Sequence, residues 1–223
     1  IIEREMKKVI ETYGPEAIWV TQGTGRDING YGPLMAQYFG TPNYGTGFLS
    51  GIACYGPRIF STALKSGGLF VCDYSQFFPD RYDDPRYELP KYMLVWGRDT
   101  LWSNPDGLFG HSTVDMMKRG TELIVVDPRA TWLATRAKYF LQLRPGTDAA
   151  LALAFMHEII EHGWYDPEFI ENWTYGFDEL AERVQEYTPE FAAETCGISA
   201  DEIRVCARKL GYDGQHHWSL LMG

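Results

Sequence analysis

Three short segments in the middle of the chain end an apolar run on a carboxylate: WGRDTLWSNP carries Asp99, VVDPRAT carries Asp127 and LRPGTD carries Asp148. An aspartate just past a strand can accept two hydrogen bonds from the N–H edge of a base such as guanine. The free backbone amides that open the following helix can take a phosphate. Each turn taken singly is more often ordinary capping by Asp or Thr than binding; three in succession shift the balance toward a binding edge. In the last of them, FLQLRPGTDAALALAF, an extended run stops at Arg144-Pro145-Gly146, passes through Thr147 and Asp148 and becomes an Ala/Leu-rich helix. In a doubly wound sheet such a turn lies at the carboxyl end of a strand, where ligands bind.

The elements that would hold these turns alternate. The pattern predicts a strand over 93–97, a helix from about Asp106 to Arg119, a strand over 122–127, a short helix near Thr131 to Ala137, a strand over 139–143 and a long helix from Thr147. Strand–helix alternation of this kind predicts an α/β fold with a doubly wound, mostly parallel, Rossmann-like sheet. Beyond Gly163 the pattern is all helical, with breaks at Asp166-Pro167, Thr188-Pro189 and Gly197, and with Ser199 capping a last helix to about Leu210.

Before the sheet, residues 1–12 read as a helix broken at Gly14-Pro15, AIWVTQ as a strand, and Asp27 as the cap of a helix running to about Phe39. The glycine-rich stretch from about 40 to 58 reads as irregular, LFVCD as a further strand, and FFPDRYDDPRYELPKY as a surface loop. Residues 1–52 are thus expected to form part of a first α/β lobe, 53–212 a cofactor-binding α/β domain, and 213–223 the start of a return to the first lobe. Opening on IIEREMKK without Met and closing on HHWSLLMG, the sequence reads as an internal stretch of a longer polypeptide. Any signal region would lie outside it, so periplasmic and cytoplasmic sites both remain open.

Composition narrows the function. With 223 residues, 45% hydrophobic, the chain can bury a sizeable core. A formal net charge of -10 with no basic stripe argues against a nucleic-acid surface. No run of about eighteen apolar residues would insert in a membrane. Cys54, Cys72, Cys196 and Cys206 form no C-x-x-C pair of the kind that holds zinc or an iron–sulfur cluster. His111, His157 and His162 read as surface or capping residues, and Trp132, Trp164 and Trp173 as core anchors.

The run VVDPRATWLATRAKYFLQLRPGTDAALALA, preceded by WGRDTLWSNP, resembles the molybdopterin oxidoreductases of the dimethyl sulfoxide reductase family, from about Gly40 to Leu210. That resemblance implies a molybdenum or tungsten ion held by bis(molybdopterin guanine dinucleotide), with this α/β unit gripping one half of it. It implies that Gly146 allows close approach of the guanine and that Asp148, beside Thr147, bonds its edge. Asp127 would hold the guanine or ribose, with Arg129 and Thr131 near the pyrophosphate. Gly97, Asp99 and Ser103 would line the first turn, where the family often has Asn-Pro in place of Asp99-Thr100.

By the same resemblance, Cys54 in GIACYGPRIF takes the position of the protein ligand to the metal, and a thiolate suits a soft, dithiolene-bound ion. The plain alternative is a buried, inert thiol. Formate dehydrogenases of the family tend to have His after the ligand, where this chain has Tyr55. The implied activity is redox transfer of an oxygen atom or hydroxyl to or from a small molecule. Electrons would leave through a [4Fe–4S] cluster in an N-terminal segment outside this stretch, toward an iron–sulfur electron-transfer subunit. This stretch alone is expected to be inactive. Two alternatives stand beside it: a non-redox hydratase of the same family, and a non-catalytic nucleotide-binding module. A G-x-G-x-x-G fingerprint would favour the module, and GTGRDING misses the third glycine.

Overall fold

A computed structural model of the protein describes residues 1–22, 30–46, 56–67, 81–85, 87–102, 108–213 and 218–222. The chain divides into two compact units, Ile1–Val71 and Cys72–Gly223.

In the first unit, helix α1 (Ile2–Tyr13) ends at Gly14, whose φ of 88° a side chain would resist. Met6, Val9 and Ile10 fall on one stripe of α1 and pack on Ile18, Val20 and Ala36. Strand β1 (Val20–Gln22), helix α2 (Tyr31–Phe39) and strand β2 (Tyr44–Thr46) follow, β1 and β2 pairing in parallel with Val20 opposite Tyr44. Buried Thr41 ties the return, its hydroxyl donating to the Ile18 carbonyl at 2.7 Å. Strand β2 and helix α3 (Gly56–Ser66) both correct the expectation of irregular chain from 40 to 58. Gly45 masks the strand, because its pairing is decided by β1 and not by its own propensity. Gly56-Pro57, within the stretch read as irregular, opens α3, since proline is tolerated in a first helical turn. The Asp27 cap and the LFVCD strand lie outside the described residues.

In the second unit, strand β3 (Tyr92–Trp96), helix α4 (Leu108–Arg119), strand β4 (Glu122–Val126) and strand β5 (Tyr139–Leu141) appear where the alternation places them. Helix α5 (Asp148–Glu161) follows, then α6 (Pro167–Trp173), α7 (Phe177–Arg183), α8 (Pro189–Cys196), α9 (Ala200–Arg208) and strand β6 (Trp218–Met222). The short helix near Thr131 is a single tight turn, Ala134–Arg136. The helical segment starts where its caps require: Asp166 and Thr188 accept from Phe169 and Phe191 amides, and Ser199 forms a capping box with Glu202.

The four strands lie in the order β5-β4-β3-β6, all parallel. Residues 218–222, read from sequence as heading back to the first lobe, thus run beside Tyr92–Trp96. Both faces are covered, as an all-parallel sheet demands. Tyr92, Leu94, Trp96, Ile124, Val126 and Leu141 pack against α5, α8 and α9 through residues such as Leu151, Phe155 and Ile203. Met93, Val95, Leu123 and Val125 face the other way, onto Met116 of α4 and Leu133. The result is a doubly wound α/β layer whose strand order reverses at β3, between β4 and β6. In such sheets the crevice outside the carboxyl ends at the reversal receives ligands.

Candidate functional site

The three turns singled out in the sequence open on one edge of the sheet. The Gly97 amide, just past β3, donates to the Val126 carbonyl at 2.8 Å, and the Asp127 amide, just past β4, donates to the Leu141 carbonyl at 3.3 Å. The exits of β3, β4 and β5 are therefore laddered side by side, about 4.8 Å from one to the next. Gly97 (φ 58°) and Gly146 (φ 84°) adopt the left-handed region, and among the described residues a β-carbon on either would meet nothing within 4 Å. Backbone and open space coincide there, so a ligand can approach the chain closely.

The carboxylates differ in how they are held. Asp127 is 3% exposed, and its Oδ1 accepts the Arg129 amide at 2.7 Å, with Arg129 Nε at 3.6 Å from the same oxygen. Half of its acceptor capacity thus builds its own turn, while the Arg129 side chain extends into solvent, 73% exposed. Thr131 is buried and its hydroxyl accepts the Ala134 amide at 3.2 Å, so it starts the tight turn that follows. Asp99 is buried beside Thr100, whose hydroxyl lies 3.4 Å from that of Thr113, and the Asp99 carbonyl accepts the Trp102 amide at 3.1 Å.

Asp148 is the first residue of α5, where the helix dipole favours a negative charge. Its Oδ1 accepts the indole N–H of Trp96 at 2.7 Å. Thr147 does not cap the helix with its side chain; its hydroxyl donates back to the Arg144 carbonyl at 2.7 Å and closes the turn on itself. Arg144 fastens that turn to the end of α8: its amide donates to the Cys196 carbonyl at 2.8 Å, and its Nη1 donates to the carbonyls of Glu194 at 2.8 Å and Thr195 at 3.2 Å. Trp96 and Arg144 were both missed in the sequence, where their partners lie some fifty residues away. Cys54 and Ser103 lie outside the described residues.

The remaining candidates have structural work to do. His157 Nδ1 is 3.0 Å from the Val184 carbonyl, and His162 stacks on Trp164 with ring centroids 4.4 Å apart. Trp173 is 79% and Trp132 38% exposed, so neither is the core anchor expected of it. Trp132 instead lies under the Arg136 guanidinium, 3.7 Å away. Cys196 and Cys206 are buried free thiols, and burial pushes the Cys206 thiol up to about 12. Hydrogen bonds from Arg119, Arg204 and Lys209 hold Asp83, Glu190 and Asp213 below the usual carboxylate range. Among the described residues no His, Cys, Asp and Glu group is arranged to hold a metal ion, and no helix is long and apolar enough to cross a membrane.

Comparison with known proteins agrees with this geometry. A family model described as molybdopterin oxidoreductase matches residues 1–187. The chain is 35% identical over 208 residues to acetylene hydratase of Syntrophotalea acetylenica, an alignment that covers 92% of this chain and 26% of that protein. It is 40% identical over 228 residues to nitrate reductase of Symbiobacterium thermophilum, covering 99% of this chain and 29% of that one. Among solved structures, acetylene hydratase from Pelobacter acetylenicus superposes with a TM-score of 0.68 at 32% identity, over 100% of this chain and 28% of the other. The chain therefore spans little more than a quarter of the length of the relatives it matches.

Proposed function

Because the chain belongs to the molybdopterin oxidoreductase family, the dimethyl sulfoxide reductase group of molybdenum and tungsten pterin enzymes, we propose that its parallel sheet holds one guanine dinucleotide arm of a bis(molybdopterin guanine dinucleotide) cofactor. The observation that carries this reading is the laddered row of strand exits ending in Asp127 and Asp148, at the edge beside the reversal of strand order. The residues fit the group. An ionised aspartate is acceptor-only and matches the N–H edge of guanine, and Gly97 and Gly146 leave room for close approach.

In this reading Asp148 bonds the base, aided by the backbone at Gly146 and Thr147. Asp127 meets the guanine or ribose, Arg129 and Thr131 lie near the pyrophosphate, and Gly97, Asp99 and Ser103 line the first turn. Cys54 supplies a thiolate to the metal. The bound metal would supply two-electron redox chemistry, with transfer of an oxygen atom or hydroxyl to or from a small substrate. A [4Fe–4S] cluster in a part of the protein outside these residues, and an iron–sulfur partner subunit, would carry the electrons. These residues alone would neither hold the cofactor nor turn over.

A second reading, a hydratase of the same family, is favoured by the likeness to acetylene hydratase over 92% of the chain; the nitrate reductase match over 99% favours the redox reading. Turnover that requires an external electron donor or acceptor selects the redox enzyme, and turnover without one selects the hydratase. The binding site is tested by Asp148→Ala in the purified protein. Leaving the guanine donors without a partner costs about 1–3 kcal/mol, so molybdenum or tungsten content falls; unchanged content contradicts the assignment. For Cys54, X-ray absorption should count one sulfur neighbour fewer at the metal in Cys54→Ser, and an unchanged count removes it from the site.

A further inference from the structure

Asp148 and Phe155 are seven residues apart on α5, two turns, and so lie on one face of the helix. Both touch Trp96. The indole N–H donates to Asp148 Oδ1 at 2.7 Å, and the indole ring meets Phe155 edge to face, centroids 5.9 Å apart at 79°. Trp96 is the last residue of β3, 9% exposed, its backbone fixed in the ladder opposite Val126. The ring therefore cannot turn without losing its seat, and its N–H is aimed at one oxygen.

We propose that Trp96 is a positioning residue that sets the plane of the Asp148 carboxylate and commits the site to a ligand edge made of hydrogen-bond donors. The proposal rests on the reading that this strand edge receives a purine nucleotide. An indole N–H is a donor and never an acceptor, so whatever stands at 148 must turn an acceptor toward Trp96. An aspartate does so and still offers its second oxygen outward, as an acceptor for the N1–H and N2–H₂ edge of guanine. Adenine presents an acceptor at N1 and would be refused.

The same constraint makes asparagine at 148 worse than a simple loss of charge. Its amide oxygen would be drawn to Trp96 and its NH₂ forced outward, donor against donor. Removing the indole N–H frees the amide to flip, and the sign of the Trp96 effect reverses.

The test follows release of guanine nucleotide from the purified intact protein, as GMP set free by acid hydrolysis of protein-free filtrates taken over time, for wild type, Trp96→Phe, Asp148→Asn and Asp148→Ala and for both Trp96→Phe double variants. Trp96→Phe keeps the aromatic contact with Phe155 and should speed release about fivefold, the factor expected for one hydrogen bond. In the Asp148→Asn background Trp96→Phe should slow release, and in the Asp148→Ala background it should change nothing. A merely structural role predicts faster release in every background, and that result overturns the proposal. Wild-type rates in Trp96→Phe, with fast release in Asp148→Ala, also overturn it while leaving the nucleotide site standing. No guanine nucleotide in the wild type, or unchanged release in Asp148→Ala, overturns the site itself. If Trp96→Phe fails to fold by circular dichroism, the indole N–H proton resonance decides: it must shift in Asp148→Ala, and an unmoved resonance overturns the proposal.

Discussion

Removing the Arg144 guanidinium should loosen the turn that presents Asp148. The side chain donates through Nη1 to the Glu194 and Thr195 carbonyls at the end of α8, groups that have no partner within the helix. Arg144 is exposed, so each bond is discounted to about 0.5–1 kcal/mol, and the favourable placement of a cation at a helix C-terminus adds about 0.3–1 kcal/mol. Arg144→Ala should thus cost about 1.3–3 kcal/mol locally. The backbone bond from Arg144 to the Cys196 carbonyl survives the substitution, which confines the effect to local opening. Hydrogen exchange read by mass spectrometry measures such opening without requiring global unfolding. At about 1.4 kcal/mol per tenfold, amides over 144–151 and 192–197 should exchange about 8- to 140-fold faster. Gly197→Ala supplies an internal control. That residue has φ +76°, and a β-carbon would come within 3.1 Å of Arg144 Nε, so part of its cost should vanish in the double variant. Exchange changed by less than about twofold in Arg144→Ala would show that the clamp carries no energy.

Two further outcomes follow from the placement of charges and thiols. Asp83, Glu190 and Asp213 have folded pKa values below their unfolded ones, so the stability they contribute is complete above about pH 5 and is lost as the pH falls through the lower, folded values; urea midpoints should fall with pH in that acid range, and less steeply in Arg119→Met, Arg204→Met and Lys209→Met together. Cys206, its thiol pushed up to about 12, should resist iodoacetamide at pH 8 in the folded protein and react once unfolded; labelling at the rate of a free thiol before unfolding would refute its burial.

Local chemistry was legible and tertiary chemistry was not. Asp166-Pro167 and Thr188-Pro189 read as breaks and Ser199 as a cap from the local sequence alone, and a helix starts at each. The apolar runs at 93–97 and 122–127 could be placed because a parallel strand buried on both faces is apolar throughout. Tyr44–Thr46 could not, because its centre is glycine and its pairing depends on Val20–Gln22. Trp132 and Trp173 misled because size alone does not say which side of a helix or turn faces the core. The turns bearing Asp127 and Asp148 were found by residue type at strand ends. Trp96 and Arg144, which hold the Asp148 turn, were not found, since their bonds join residues 52 and 50 positions apart.

The central claim is that the edge formed by the exits of β3, β4 and β5 holds one guanine dinucleotide arm of a metal cofactor that has two. It is tested most directly by quantifying GMP released by acid hydrolysis against molybdenum and tungsten in one sample of the purified intact protein. The account predicts two guanine nucleotides for each metal atom in the wild type, with both falling together in Asp148→Ala. Metal without guanine nucleotide in the wild type, or metal and guanine nucleotide both at wild-type content in Asp148→Ala, would contradict it.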